Sequence, residues 1–318
     1  MALFQTKKIQ SFIVFIIVLV VILWVFQDNF LKLLAFQKPI EQLVSINEEA
    51  KETAYLEKID NFLLKEYSKD QVLLHSIQAT TYYSYKNSPV QLLDVEVKTF
   101  NEAQKEGLVL TSNRAEMLKS GEMFFNGEVN IQTKTGVSHE LDTESLIVLT
   151  NSGKIKSNKE VTYLGETARI ISEGMEMSIE SDTMYLNGVV KILEDSGVTI
   201  DTMNLYTSHN AGEKIYKSKE ATVYQSKDTI VNADSGIDID MNLRLIKLLG
   251  KVEVLNSSGS TLNSSNLLID QSNDGEVLKS NSSSHFKSNS VDIKAKKMHY
   301  DAVTKKLELM NKVVAVYE

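Results

Sequence analysis

The sequence predicts an all-β protein built from stacked, repeated antiparallel strands, carried behind one N-terminal transmembrane helix and a short helical segment. Three observations predict it. The run Phe12 to Phe26 holds fifteen residues without a polar side chain. From Gln71 onward Val, Ile, Thr, Tyr and Ser become frequent, and short alternating runs are broken by Asn-Gly, Ser-Gly and Asn-Asp-Gly turns. Such breaks, about every eight to twelve residues, mark many short antiparallel strands. Third, one short phrase recurs four times along the chain.

The apolar run comes first. At the helical rise it reaches about 22 Å, short of a bilayer core of about 30 Å. Flanking residues extend the expected anchor to 9–31, and Trp24 suits the interfacial aromatic belt. No small-x-small cleavage site follows, which favours a retained anchor over a cleaved signal peptide. Lys7 and Lys8 precede the run. The positive-inside rule then puts residues 1–8 in the cytoplasm and the bulk outside, which in a bacterium is the periplasm.

Residues 32–70 are expected to be a helical juxtamembrane segment. Leu43, Ile46, Ala50, Ala54, Ile59, Phe62 and Leu63 fall near a helical period, and no glycine or proline interrupts Glu41 to Lys69. A spacer or docking helix beside a membrane partner and a helix capping the next domain fit this periodicity equally well.

The repeat follows. MFFNGEVNI begins at Met123, MYLNGVVKI at Met184, IKLLGKVEV at Ile246 and LELMNKVVA at Leu307. Registered on Gly127, Gly188, Gly250 and Asn311, the copies are spaced evenly to within a single position. Glycine and asparagine tolerate the positive φ of a bulge or turn. Met175, Ile237 and Met298 keep the same period, as do Leu141, Ile200 and Leu262 approximately. A unit this small cannot bury a face alone, so the copies must stack.

Each copy has one apolar alternating set. It is Met123, Phe125, Val129 and Ile131 in the first and Met184, Leu186, Val190 and Ile192 in the second. It is Ile246, Leu248, Val252 and Val254 in the third, and Leu307, Leu309, Val313 and Ala315 in the fourth. Met175, Met177, Ile237 and Ile239 alternate likewise on intervening strands. With no helices to cover it, such a sheet must fold over on itself as an elongated sandwich, jelly roll or solenoid.

Composition narrows the chemistry. The 318 residues carry a net charge of −8, with no cysteine, two prolines and five histidines. An acidic chain has no electrostatic footprint for nucleic acid. The absence of cysteine removes disulfides, thiolate metal sites and cysteine nucleophiles. The histidines lack metal-ligand spacing, and no phosphate loop or Gly-x-Ser-x-Gly elbow occurs. The chain reads as neither an enzyme nor a cofactor or metal protein.

A short cytoplasmic tail, one anchor and strands carrying the Φ-x-Φ-x-G-x-V-x-Φ rhythm resemble the LptC family of lipopolysaccharide export. The match is best from Glu122 to Leu193, through Asn126-Gly127, Leu141 to Leu146, Gly153 to Ser157, Glu173 to Met177 and Asn187-Gly188. The stretch Ile200 to Glu318 is similar to LptA and its OstA-like relatives, in Ala295 to Met298 followed by Leu307 to Val313. The chain is longer than a usual LptC, as if an LptA-like unit were appended. The expected division is an LptC-like jelly roll over 71–197 and an LptA/OstA-like one over 198–318.

The resemblance implies a twisted β-jelly roll, open along one side, whose interior cradles lipopolysaccharide acyl chains. It implies an inner-membrane protein that accepts lipopolysaccharide from an LptBFG-like ABC transporter and passes it to an LptA-like periplasmic bridge. The candidate groove residues are then Phe125, Val129, Ile131, Met175, Met177, Leu186, Val190, Ile192, Ile237, Ile239, Leu248, Val252 and Val254. From pattern alone the same stripe reads more readily as a dry core. The alternative is therefore an anchored β-repeat scaffold without lipid. The β-prone C-terminal run offers Val313, Val314 and Val316 as a partner edge.

Overall fold

The computed structural model describes residues 55–318 apart from short stretches at 101–102, 119–121, 135–139, 150–151, 153, 166, 179–182, 209–213, 228, 273–274 and 318. Every described regular element is a β-strand. Residues divide into two compact units, the first ending at Ser138 with Glu144–Lys154 added, the second comprising His139–Thr143 and Ile155–Glu318. The sequence-based boundary at 197/198 falls in the turn of a hairpin inside the second unit.

The first unit is an antiparallel meander of β1 (Glu57–Tyr67), β2 (Leu73–Ser84), β3 (Val90–Phe100), β4 (Glu106–Met117) and β5 (Met123–Thr133). A line of kinks crosses it. Asn61, Asp94 and Gly127 have φ of 55°, 48° and 78°, and the register steps over them. Asparagine, aspartate and glycine are the residue types that enter this region cheaply. Thr80 Oγ1 donates to Asp94 Oδ2 at 2.8 Å and ties β2 to the kink in β3.

β1 corrects the sequence reading. Residues 57–67, expected to be helical, are a strand, and residues 1–54, which include the anchor, lie outside the described residues. The kink at Asn61 explains the error. It shifts the two-residue alternation by one, so the half-buried positions beyond it are Phe62, Leu64 and Glu66. An alternation that changes phase mimics a helical period over a short window.

β6 (Glu140–Leu149), β7 (Lys154–Ser157), β8 (Val161–Leu164), β9 (Ala168–Ser178), β10 (Thr183–Glu194) and β11 (Thr199–Ser208) follow. Short β12 (Ile215–Ser218), β13 (Thr222–Ser226), β14 (Thr229–Ala233) and β15 (Ile237–Asp240) lead to long β16 (Leu245–Asn256) and β17 (Thr261–Asp270). β18 (Val277–Ser280), β19 (Ser284–Lys287), β20 (Val291–Ala295), β21 (Lys297–Asp301), β22 (Lys306–Met310) and β23 (Val314–Tyr317) complete the chain.

Pairing in the second unit shows why long and short strands alternate. One end of β11 pairs with β12 and its other end with β13. β12 pairs with β15 and β13 with β14, and these rejoin the two ends of β16. β17 splits in the same way onto β18 and β19. Each long strand therefore runs through two half-sheets. The first holds β12, β15, β18, β21 and β22; the second holds β13, β14, β19, β20 and β23.

Between the half-sheets lies a corner lined with small hydroxyls. Thr202 meets Thr222 at 2.9 Å, and Ser264 meets Ser280 at 2.7 Å and Ser284 at 3.1 Å. Ser157, Ser218 and Ser280 also accept from the amides of Lys159, Glu220 and Ser282. Where the backbone leaves one half-sheet for the other it loses ladder partners, and these side chains replace them.

Candidate lipid-binding groove

The inner faces of both half-sheets are apolar. Leu186, Val190, Ile237, Ile239, Ile246, Leu248 and Val252 are each at most 2% exposed. Away from the hydroxyl corner the half-sheets end in turns and leave a cavity of 1330 Å³. Pockets for drug-sized ligands span about 300–1,000 Å³, so this space exceeds what one small metabolite fills.

Tyr163, Tyr216, Ile239, Ile246, Val198 and Tyr300 supply apolar lining, all within the second unit. Lys214, Lys227, Arg244 and Lys305 share it with Glu194, Asp195, Asp240 and Glu276, so the charges balance. On the rim of the first half-sheet, Gln271 N donates to Arg244 O at 3.0 Å and Ala302 N to Glu276 O at 3.0 Å. Turns of successive strands are thus tied into a continuous lip.

Polar contacts cross from one half-sheet to the other. The hydroxyl of Tyr224, on β13, donates to Glu276 Oε1, just before β18. Gln271 Nε2 donates to that hydroxyl at 3.2 Å and to Glu276 Oε1 at 3.3 Å. Asn256 Nδ2, at the end of β16, donates to the Tyr300 hydroxyl on β21 at 3.4 Å. Burial first, then the Glu276 carboxylate, pushes the Tyr224 phenol far above its usual range. Burial also lifts the Glu194 carboxyl, the Ser196 hydroxyl opposes this, and nearby Glu276 adds to the rise.

The first unit has its own interior. Phe62 stacks on Tyr82 with ring centroids 5.0 Å apart, and Ile77, Leu92, Val95 and Phe125 are buried in the same unit. His75 is 2% exposed there, and its Nε2 lies 3.0 Å from Glu66 Oε2. Neither ring nitrogen has a partner in hydrogen-bonding geometry, so proximity to Glu66 does not offset burial. Burial lowers the His75 pKa to about 4 and raises that of Glu66.

A family model described as "Lipopolysaccharide-assembly, LptC-related" matches residues 12–195 and 214–318. The chain belongs to the LptC family. Among curated proteins none matches it. LptC proteins are inner-membrane-anchored transport components, not known as enzymes, and the family serves lipopolysaccharide transport. Among the described residues no helix is long and apolar enough to cross a membrane, and the LptC anchor expected at 9–31 lies outside them.

Of the expected groove residues, Phe125, Val129 and Ile131 are buried in the first unit. Met175, Leu186, Val190, Ile192, Ile237, Leu248, Val252 and Val254 are buried in the second, and Met177 is half-buried. Of the thirteen, only Ile239 lines the cavity. The edge residues Val313, Val314 and Val316 are 48%, 60% and 57% exposed.

Sequence reasoning missed the tyrosines. Tyr163, Tyr224 and Phe286 recur with the period of the phrase, and that recurrence was the available signal. Tyr300 likewise stands one period after Ile239. No group of three or more metal-ligating side chains occurs among the described residues.

Proposed function

We propose that the chain is a lipid-carrying segment of lipopolysaccharide export, with acyl chains held between the two half-sheets of the second unit. The observation that carries this reading is the 1330 Å³ cavity, lined by Tyr163, Val198, Tyr216, Ile239, Ile246 and Tyr300 together with charged and polar side chains. Each methylene moved from water into such an interior gains about 0.8 kcal/mol, so one acyl chain offsets a substantial opening cost. The reading has the anchor at 9–31 hold the chain in the inner membrane, N-terminus in the cytoplasm. An LptBFG-like transporter would load it, and an LptA-like bridge would receive the lipid. The OstA-like stretch 198–318 would lengthen the path.

One observation favours a second reading, a β-repeat scaffold with a dry core. Twelve of the thirteen expected groove residues lie outside the cavity lining, and most are packed to a few per cent exposure. A photocrosslinking residue at Ile239 or Ile246 decides between them. In cells it should capture lipopolysaccharide, whereas the same residue at outward Lys191 or Glu253 should not. Equal capture at both sets, or none at either, would support the scaffold.

A further inference from the structure

Tyr224 is 1% exposed, yet its hydroxyl does not end in its own half-sheet. It crosses to Glu276 and Gln271 on the lip of the other half-sheet, and Asn256 crosses to Tyr300. These contacts lie at the open edge, opposite the hydroxyl corner. The corner joins the half-sheets covalently, because the long strands pass through it. The open edge is joined only by side chains.

We infer that the Tyr224–Glu276–Gln271 and Asn256–Tyr300 contacts form a polar strut across the groove mouth, which an acyl chain must part to enter. The inference rests on the lipid-carrying reading. Two features support a movable strut over a fixed brace. First, the partners Gln271, Glu276, Asn256 and Tyr300 are half-buried side chains that line the open cavity, where water replaces a broken hydrogen bond. Second, it is not built at every rung: Tyr163 stands one repeat earlier, but the side chain one repeat later is Phe286, which has no hydroxyl.

The test uses the full chain in membrane vesicles, with purified lipopolysaccharide as the probe and a photocrosslinking residue at Ile246. The native sequence has no cysteine, so Asn256→Cys with Tyr300→Cys gives a clean pair for a bismaleimide bridge. Capture should rise about threefold or more in Tyr224→Phe and in the unbridged pair. It should fall below the wild-type yield once the pair is bridged. The pair decides the matter even if Tyr224→Phe folds poorly, because one variant is read open and closed. Equal yields in the wild type, the open variants and the bridged pair would overturn the strut while leaving the carrier reading intact. No capture in the wild type or any variant would overturn both.

Discussion

The amide of Gly250 donates to Oδ1 of Asn266 at 2.9 Å, and one repeat earlier Gly188 makes the same bond to Asn204 at 3.0 Å. The next amide is capped from the opposite side: Lys251 N by Asp234 Oδ1 at 2.8 Å, Val189 N by Glu173 Oε2 at 3.2 Å. Each bulge thus frees two amides from the ladder, and a side chain from either side takes one. Gly250 sits at φ +80°, and a Cβ there would collide with Asp234 and Ser235. Gly250→Ala should destabilise by about 2–3 kcal/mol from strain and displaced caps. Asn266→Ala should cost about 1 kcal/mol for the lost bond. Urea unfolding of the full chain measures both, and a Gly250→Ala variant as stable as wild type would refute the account.

The corner makes a second prediction. Ser264 joins Ser280 and Ser284 with all three buried. Ser264→Val leaves two buried hydroxyls short of a partner and should cost about 2–3 kcal/mol. Ser264→Ala removes the same bonds without overpacking and should cost about 1–2 kcal/mol. Thermal unfolding measures both; a Ser264→Ala variant as stable as the wild type would mean the hydroxyl contacts are incidental.

His75 gives a pH dependence with a definite sign. Its folded pKa, about 4, lies below the ordinary 6.5. Between those values the unfolded chain binds a proton that the folded chain refuses, so stability is full above pH 6.5 and declines as pH falls toward 4. Glu66, raised by burial, is protonated first in the folded state and partly offsets the loss. The net loss from pH 7 to 4.5 should be about 1–3 kcal/mol. Urea midpoints compared across that range should show it, and His75→Gln should flatten the slope. An unchanged slope in that variant would assign the effect elsewhere.

The C-terminal edge yields a fourth. β23 pairs with β20 and β22 with β21, and among the described residues neither has a strand on its other side. Val314, Val316 and Tyr317 are more than half exposed. A β-prone edge of that kind is a template for strand addition. Val314→Pro removes a backbone donor there and should abolish crosslinking of a jelly-roll partner near residue 316, with upstream protease resistance retained. Full partner capture by the proline variant would disprove docking at this edge.

Much of the fold was legible because the repeat is written in residues with backbone duties. Gly127, Gly188, Gly250 and Asn311 fall where φ is positive; around the three glycines the flanking apolar positions face inward, whereas Val313 beyond Asn311 is exposed. β1 was misread because a kink at Asn61 changes the phase of a two-residue pattern, and phase is what separates strand from helix over short windows. The groove was less legible. Tyr224 meets Gln271 and Glu276, which are distant in sequence and flank an Asn-Asp-Gly turn that pattern reading treats as punctuation. Which inward residues face open space and which face one another depends on how far the half-sheets splay, a tertiary quantity with no local signal.

The caps at Gly188 and Gly250 bear on how such a molecule changes its reach. From β10 to β16 one period adds four layers of pairing, with the short strands counted two to a layer. At about 4.8 Å between neighbouring strands, that is roughly 19 Å per copy. Because the bulge of each copy is satisfied by strands next to it in sequence, a duplicated stretch of gene brings its own fastenings. The second unit is in this sense a measuring stick with uniform graduations. Its span can be reset by whole copies, to suit a wider or narrower envelope, without redesigning any single rung.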